Sequence, residues 1–150
     1  YKLTAVENEQ GEIIPKIKCS ENVEKITIPH FKKVYRLYNK ENGKAIADYM
    51  TVYDEVVDEN EPMMLFDPYA TWKTKNVCNY QARELLVPVF LKGKRVYESP
   101  ALKDIQTYCK QQVDTLWDEI KRFDNPQTYY VDLSQKLWDI QQELLRKNRN

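Results

Sequence analysis

The first two-thirds of the chain alternate apolar and polar positions in short runs, which is the pattern of β-strands. YKLTAV predicts a strand at residues 1–6, and EIIPKIKC continues in extended form after a polar turn. Two longer runs, at residues 32–38 and 44–53, are separated by a loop that ends in Asn-Gly, which predicts a hairpin. Asp48 shares one face of the second run with apolar residues, so we expect a partner such as Arg36 to reach it.

Shorter strand patterns fill the middle of the chain. A polar, acidic stretch at residues 54–62 predicts an exposed loop, and MMLFDP and TWKTKNVCNY then contain short β segments. ELLVPVF and LKGKRVY predict a further hairpin, which turns near Lys92 and Gly93. Pro88 cannot donate a backbone hydrogen bond, which places the first of these strands at a sheet edge or bulge.

Helical spacing begins after this hairpin. Ser99 and Pro100 form a helix start signal, and apolar residues then recur at steps of three and four until Asn125-Pro126. This stripe predicts one helix of roughly 24 residues. Its members are Leu102, Ile105, Cys109, Val113, Leu116, Ile120 and Phe123.

A second amphipathic helix is predicted at the end of the chain. Asp132 is expected to cap it, with Gln135 in the capping-box position. Three cations suit the negative end of its dipole: Arg146, Lys147 and Arg149. The order of these elements predicts the fold class α+β, with β-hairpins or a small mixed sheet followed by two amphipathic C-terminal helices.

Charge changes this picture only locally. The chain has 150 residues, the usual size of one domain, and its 23 basic and 23 acidic residues cancel. No overall field therefore favours nucleic acid or an anionic membrane. Residues 16–40 nevertheless hold seven Lys or Arg, whereas residues 45–72 hold seven Asp or Glu and no cation. Pairing of these stretches in one sheet would compensate much of the separation.

Several kinds of site are excluded by the residues that would build them. The three cysteines have no C-x-x-C spacing, which fits reduced thiols in a cytoplasmic protein better than zinc or disulfides. His30 is the single histidine, and no glycine-rich phosphate loop or nucleophile elbow occurs. No apolar run has the length of a membrane span. The residues thus offer little catalytic machinery and predict no metal site.

One stretch, KIKCSENVEK at residues 16–25, has the charge that a phosphate site needs. Lys18 precedes and Lys25 follows Ser20, which could cap a short helical turn over residues 21–25. Fixed cations and the backbone N–H groups of such a turn suit a phosphate. A solvated turn with surface lysines has the same composition, so the residues alone leave both interpretations open.

Several segments together resemble one known family. They are YKLTAV, PKIKCSENVEKITIP, KKVYRLY, GKAIAD, ARELLVPVF, the GKRVYESP hairpin with the helix after it, and YYVDLSQKLW. In this order, from Tyr1 to about Leu145, they resemble the C-terminal part of nicotinate phosphoribosyltransferase, and most of all its long bacterial forms. One departure is His30, because the family usually has glycine after Pro29.

The resemblance implies a cytoplasmic enzyme of NAD salvage. Such an enzyme joins nicotinate to phosphoribosyl pyrophosphate, giving nicotinate mononucleotide and pyrophosphate, and couples this to ATP hydrolysis through a phosphorylated histidine. ATP and magnesium are its implied cofactors. The histidine and the nicotinate-binding residues belong to a catalytic barrel expected before Tyr1, and His30 does not match that histidine. The fragment alone is therefore expected to bind no cofactor and to be inactive.

Phosphate binding is the role that the resemblance carries over to this chain. In the related nicotinamide-using enzymes, an aromatic-lysine pair on a strand and lysines flanking a short loop contact substrate phosphates. The matching positions here are Lys2, Lys18 and Lys25. Negative charge accumulates on the diphosphate leaving group, so fixed lysines would stabilise it where it develops.

The resemblance also implies a division of the chain. Residues 1–29 would connect to the missing catalytic barrel, and residues 30–150 would form the C-terminal α+β domain. The implied partners are the rest of the polypeptide, a second copy in a homodimer, nicotinate and phosphoribosyl pyrophosphate, without nucleic acid or membrane. Two alternatives stay open. One is a non-catalytic protein-interaction module, and the other is a small RNA-binding domain that uses Lys32, Lys33, Arg36 and the strand tyrosines.

Overall fold

The computed structural model describes residues 1–148, except for the side chain of Glu24, and one predicted helix-end cation, Arg149, lies outside the described residues. The elements in chain order are β1 (Ala5–Glu7), β2 (Ile13–Pro15), a 3-10 turn (Val23–Lys25), β3 (Lys32–Asn39), β4 (Ala45–Val52), β5 (Met63–Phe66), β6 (Thr74–Val77), β7 (Tyr80–Glu84), β8 (Phe90–Leu91), β9 (Lys94–Arg95), α1 (Leu102–Asp114), α2 (Asp118–Lys121), β10 (Val131–Leu133) and α3 (Gln135–Lys147). The predicted α+β class is confirmed.

A four-stranded sheet with the order β10-β4-β3-β7 forms the centre of the fold. β3 and β4 are the predicted hairpin, and Gly43 in their loop has a φ of +66°, which glycine adopts without strain. β7 pairs antiparallel with β3, whereas β10 lies parallel to β4. The sheet is therefore mixed, and β10 brings the start of the last helix beside the middle of the chain.

Alternate side chains of β3 and β4 point to opposite faces of this sheet, and both faces are covered. On one face Leu37 and Ala47 pack with Leu65 of β5 and Val77 of β6 in one buried cluster. On the other face the core is formed by Val52, Leu133 and Leu137, and Leu137 belongs to α3. The sheet therefore has a small core on each side, one closed by the β5–β6 hairpin and one by α3.

The predicted helix of roughly 24 residues is wrong in its extent. The observed α1 follows Ala101, not Ser99, and Ala101 makes no side-chain capping bond. α1 ends at Asp114, and the short α2 begins four residues later at Asp118. The apolar stripe that predicted one helix thus runs over two.

Contacts with the start of β4 take the intervening residues out of the helix. The N–H of Ala45 donates to the Thr115 carbonyl at 2.9 Å, and Trp117 Nε1 donates to the Ala45 carbonyl at 3.0 Å. Lys44 Nζ donates to the carbonyl of Asp114 at 2.9 Å. The donors from Lys44 and Ala45 occupy the carbonyls of Asp114 and Thr115, which a continuous helix would have used for its own hydrogen bonds.

The predicted cap of the last helix is wrong by two residues. Ser134 is the N-cap of α3, and its Oγ accepts the N–H of Leu137 at 3.2 Å. Asp132 instead belongs to β10, because Val131–Leu133 pair with the edge of β4. Sheet pairing therefore takes precedence over the capping signal, and Ser134 supplies the cap.

The acidic loop at residues 54–62 is less solvated than predicted. Glu55 accepts the N–H of Val52 at 2.6 Å, and Glu59 accepts the N–H of Ala82 at 2.7 Å. Both carboxylates are partly buried. Two acids of this loop thus hold backbone groups of the sheet, while the segment remains a loop as predicted.

Candidate functional site

Three stretches of backbone lie side by side at the beginning of the chain. The Thr4 carbonyl accepts the N–H of Lys16 at 2.8 Å and that of His30 at 2.7 Å. Thr27 is 2% exposed and bonds twice to Lys18: its N–H donates to the Lys18 carbonyl and its Oγ1 accepts the Lys18 N–H, both at 3.3 Å. The backbone of the lysine-rich stretch is therefore fixed on both sides.

These stretches border a cleft of about 590 Å³. Four lysines line it, and we call them the cleft lysines: Lys2, Lys16, Lys18 and Lys25. Among the described residues of its lining, none is acidic. Its volume lies in the range of small-molecule sites. The structure thus brings the three predicted phosphate-binding residues to one cleft, and their role stays a prediction.

Lys16 is the cleft lysine that the sequence analysis did not select. It lies two residues before Lys18 in an extended stretch, where side chains two apart share a face. That spacing was the available signal. An isolated pair of lysines is common on protein surfaces, so the spacing alone could not distinguish a site.

The cleft lysines keep most of their hydrogen-bonding capacity. Lys2 Nζ donates to the Lys25 carbonyl at 2.9 Å, which ties the first residues to the loop. An ammonium group has three donors, so two remain for a ligand. In the part of the chain that the structure describes, the side chains of Lys16, Lys18 and Lys25 make no hydrogen bond or ion pair. The cleft can therefore offer several cations to one anion.

The turn around Ser20 is present but shorter than predicted. Ser20 Oγ accepts the N–H of Asn22 at 3.3 Å, and the 3-10 turn covers only Val23–Lys25. One turn of three residues aligns too few peptide dipoles to hold an anion. The positive charge of the cleft therefore comes from the lysine side chains.

A second basic group, Lys32 and Arg36 on β3, is engaged inside the protein; we call these two residues the sheet cations. Lys32 Nζ donates to the carbonyls of Ile28, Pro29 and His30 at 2.9, 3.3 and 2.7 Å. Burial lowers the pKa of Lys32 below its ordinary value. The ammonium group thus holds together the backbone of the segment that leads into the sheet.

Arg36 forms the predicted pair with Asp48. Its Nε and Nη2 donate to the two carboxylate oxygens at 2.7 and 2.9 Å, and the Tyr129 hydroxyl donates to the same carboxylate at 3.0 Å. The hydrogen bond to Asp48 raises the pKa of Arg36 further above its ordinary value. Tyr35 is buried, and burial raises the pKa of Tyr49 to about 12. These contacts count against an RNA surface on this sheet.

His30 occupies a turn position that favours glycine. Its φ is +79°, in the left-handed region. Its Nδ1 accepts the N–H of Phe31 at 2.9 Å, and its ring stacks on Tyr53 with centroids 6.1 Å apart. The turn after Pro29 therefore keeps a positive φ with histidine in place.

The family model of the nicotinate phosphoribosyltransferase C-terminal domain matches residues 31–141. The chain belongs to this family. The resemblance inferred from the sequence segments is thereby confirmed.

Individual relatives of the nicotinate phosphoribosyltransferase family agree with this assignment. A Bacillus subtilis nicotinate phosphoribosyltransferase is 41% identical over 138 residues, covering 92% of this chain and 28% of that protein. A Caenorhabditis elegans nicotinate phosphoribosyltransferase is 32% identical over 150 residues, covering 99% and 26%. The crystal structure of human nicotinic acid phosphoribosyltransferase has a TM-score of 0.70 at 23% identity, covering 79% and 24%, which shows the shared fold. The chain spans about a quarter of the length of these relatives.

The cleft adjoins the nicotinate phosphoribosyltransferase C-terminal domain directly. The matched range begins at residue 31, so the family match itself does not bear on the cleft lysines. Thr27, which bonds to Lys18, also accepts a hydrogen bond at its carbonyl from Gln141 Nε2 of α3 at 3.2 Å. This segment, in which Thr27 and Pro29 are buried, thus anchors the cleft to the last helix. The division of the chain after residue 29 stays a prediction.

Within residues 1–148, no helix combines the length and the apolar character needed to cross a bilayer. In the same range, no group of three or more His, Cys, Asp or Glu side chains is placed to hold a metal ion.

Proposed function

We propose that this chain is the C-terminal part of an enzyme that joins nicotinate to phosphoribosyl pyrophosphate in NAD salvage. Family membership over residues 31–141 is the observation that carries the proposal. The 41% identity to the Bacillus subtilis enzyme supports it. Because the chain spans about a quarter of such relatives, the bond-making chemistry is assigned to the remaining part of the polypeptide.

The proposed role of the cleft lysines is to hold phosphate groups of the donor or of the pyrophosphate product. Charge-assisted hydrogen bonds from ammonium groups to phosphate oxygens are short and strong. The backbone at Lys16 and Lys18 is held by Thr4 and Thr27, so it needs little reorganisation when a ligand arrives. These lysines would move no proton. They would stabilise the diphosphate as it leaves, and Lys18 is the member we expect to matter most.

Further parts of the proposal concern the whole enzyme. ATP and magnesium are its proposed cofactors, a homodimer its proposed assembly and the cytoplasm its proposed location, all as the family resemblance implies.

An interaction role is a second candidate, favoured by a specific surface. Residues 86–113 expose many apolar side chains, which include Leu86, Val87, Phe90, Leu91, Leu102 and Ile105. Exposed large apolar side chains in this number are typical of a segment that another chain or domain covers. Under the first proposal the rest of the polypeptide covers it, so the isolated chain should self-associate. An interaction module that folds by itself should instead be monodisperse in size-exclusion chromatography.

The full-length protein that contains this chain provides the test of the main proposal. It is incubated with nicotinate, phosphoribosyl pyrophosphate, ATP and magnesium, and nicotinate mononucleotide is followed by liquid chromatography. We expect product from nicotinate and far less from nicotinamide, which is the matched substrate control. No product under conditions in which the Bacillus subtilis relative is active would overturn the proposed function.

A further inference from the structure

A cavity of about 440 Å³ lies between the turn that follows β5 and the segment that leads into β10. Asp67, Tyr69 and Lys73 line it from the first element, and Tyr130 and Asp132 line it from the second. None of these residues lines the lysine cleft. The cavity is therefore separate from the site of the proposed function.

Asp132 is the buried ionisable residue of this lining. The residue is 3% exposed. Within residues 1–148 its carboxylate makes no hydrogen bond and no ion pair, although it borders the cavity. Buried carboxylates are normally paired or hydrogen-bonded, because transfer from water is strongly unfavourable. The carboxylate oxygens are not fully enclosed, so they open on the cavity, where a ligand can supply the missing donors.

Among the described residues, no neighbouring group neutralises the negative charge of the Asp132 carboxylate. Burial raises the pKa of Asp132 to about 6, and the charge of Asp67 adds to the rise. At neutral pH Asp132 is therefore mainly ionised. Asp67 carries the same sign, and its carboxylate already accepts the N–H groups of Tyr69 and Ala70 at 2.8 and 3.1 Å. Lys73 lines the cavity but is not within ion-pair distance of Asp132.

We propose that this cavity binds a small, flat organic cation whose N–H groups donate to the Asp132 carboxylate. An amidinium or guanidinium group presents two parallel N–H donors, which match the two oxygens of a carboxylate. Tyr69 and Tyr130 are 63% and 41% exposed, and aromatic rings attract organic cations. A metal ion matches less well, because the described residues form no group of three ligating side chains.

Benzamidine, a flat cation with an amidinium group, is the probe for this inference. Isothermal titration of the full-length protein should show saturable binding of benzamidine at one site per chain, with a Kd of about 1 mM or lower. Benzamide has nearly the same shape but no charge, and should bind about tenfold more weakly or not at all. Charge at fixed shape is thus the variable that the comparison isolates.

A pair of variants locates the binding site. Asp132→Asn should weaken benzamidine binding by about tenfold or more. Asp139→Asn is the matched control, because Asp139 is an exposed carboxylate on α3 that does not line the cavity, and it should bind as the wild type does. If Asp132→Asn does not fold, the comparison of benzamidine with benzamide in the wild type decides by itself.

Three outcomes would overturn the inference. They are no saturable benzamidine binding, equal binding of benzamide, and unchanged binding in a folded Asp132→Asn variant. A cation from another part of the full-length polypeptide that already occupies the cavity would produce the first of these. Formation of nicotinate mononucleotide is measured separately, so either proposal can fail without the other.

Discussion

Two groups of basic residues that look alike in the sequence differ in the structure. The sheet cations, Lys32 and Arg36, are matched inside the protein by three carbonyls and by Asp48. The cleft lysines line an open cleft and, within the described residues, make one side-chain hydrogen bond, from Lys2. A cation is thus available to a ligand only where the fold has not already supplied its partner.

Because of this difference, we expect the sheet cations to contribute to the stability of the fold and the cleft lysines to contribute to enzyme activity. Removal of a sheet cation leaves its internal acceptors without a donor, which costs stability. Removal of Lys16, Lys18 or Lys25 strands no described side-chain partner, since the partner of each would be a substrate. The following predictions test this separation, and the expected changes in the free energy of unfolding decrease from one to the next.

Arg36→Ala should have the largest effect on stability. It leaves the half-buried Asp48 carboxylate with the Tyr129 hydroxyl as its remaining partner. We expect the free energy of unfolding to fall by about 3 kcal/mol, as for other pairs broken from one side. Urea unfolding of the full-length protein measures this. Arg146→Ala, at an exposed position on α3, is the control and should cost less than about 0.5 kcal/mol. Equal losses in the two variants would contradict the account.

Asp132→Asn extends the comparison to an unpaired group of the opposite sign, because the variant removes the negative charge of a carboxylate. The pKa of Asp132 is raised from 3.8 to about 6 in the folded protein. The folded state therefore binds more protons between these values, so stability falls as the pH rises through this window. The variant should lack this fall and be about 2 kcal/mol more stable at pH 7.5. The measurement is urea unfolding at pH 4.5 and pH 7.5. Parallel pH profiles of wild type and variant would show that the carboxylate has a partner.

Lys32→Met should have a smaller effect than Arg36→Ala. The carbonyls of residues 28–30 lose one shared donor, but Ile28 and His30 are only partly buried, so water can replace part of the bonding. We expect a loss of about 1 kcal/mol in the free energy of unfolding. Lys33→Met is the matched control, because Lys33 is the next residue on β3 and its side chain makes no described contact. If both variants unfold alike, Lys32 does not hold the backbone of residues 28–30 together as the structure indicates.

The sequence predicted those features that local pattern determines. Alternation and the Asn-Gly turn predicted the β3–β4 hairpin, and the register across it places Arg36 opposite Asp48. The break between α1 and α2 could not be predicted, because its cause is the contact of Lys44 and Trp117 with residues about seventy positions away. The true cap, Ser134, was missed because residues 131–133 pair with a strand far away in the sequence.

The candidate site was predictable only with the family resemblance. Spacing alone could not tell Lys18 from Lys32, since both lie in one basic stretch. The tertiary structure distinguishes them, because Lys32 Nζ donates to three carbonyls, whereas Lys18 lines the cleft. The cavity at Asp132 had no sequence signal, because its walls come from segments about sixty residues apart and the aspartate had the local pattern of a helix cap.

The central claim is that the cleft lysines act on substrate and not on the fold, and Lys18→Ala in the full-length enzyme tests it most directly. Steady-state kinetics should show kcat/KM for phosphoribosyl pyrophosphate lowered roughly ten- to a hundredfold, about 1.4 to 2.8 kcal/mol. The free energy of unfolding should change by less than about 0.5 kcal/mol. Lys94→Ala, at an exposed lysine on β9, should leave both quantities unchanged. A folded Lys18→Ala enzyme with the kcat/KM of the wild type would contradict the account.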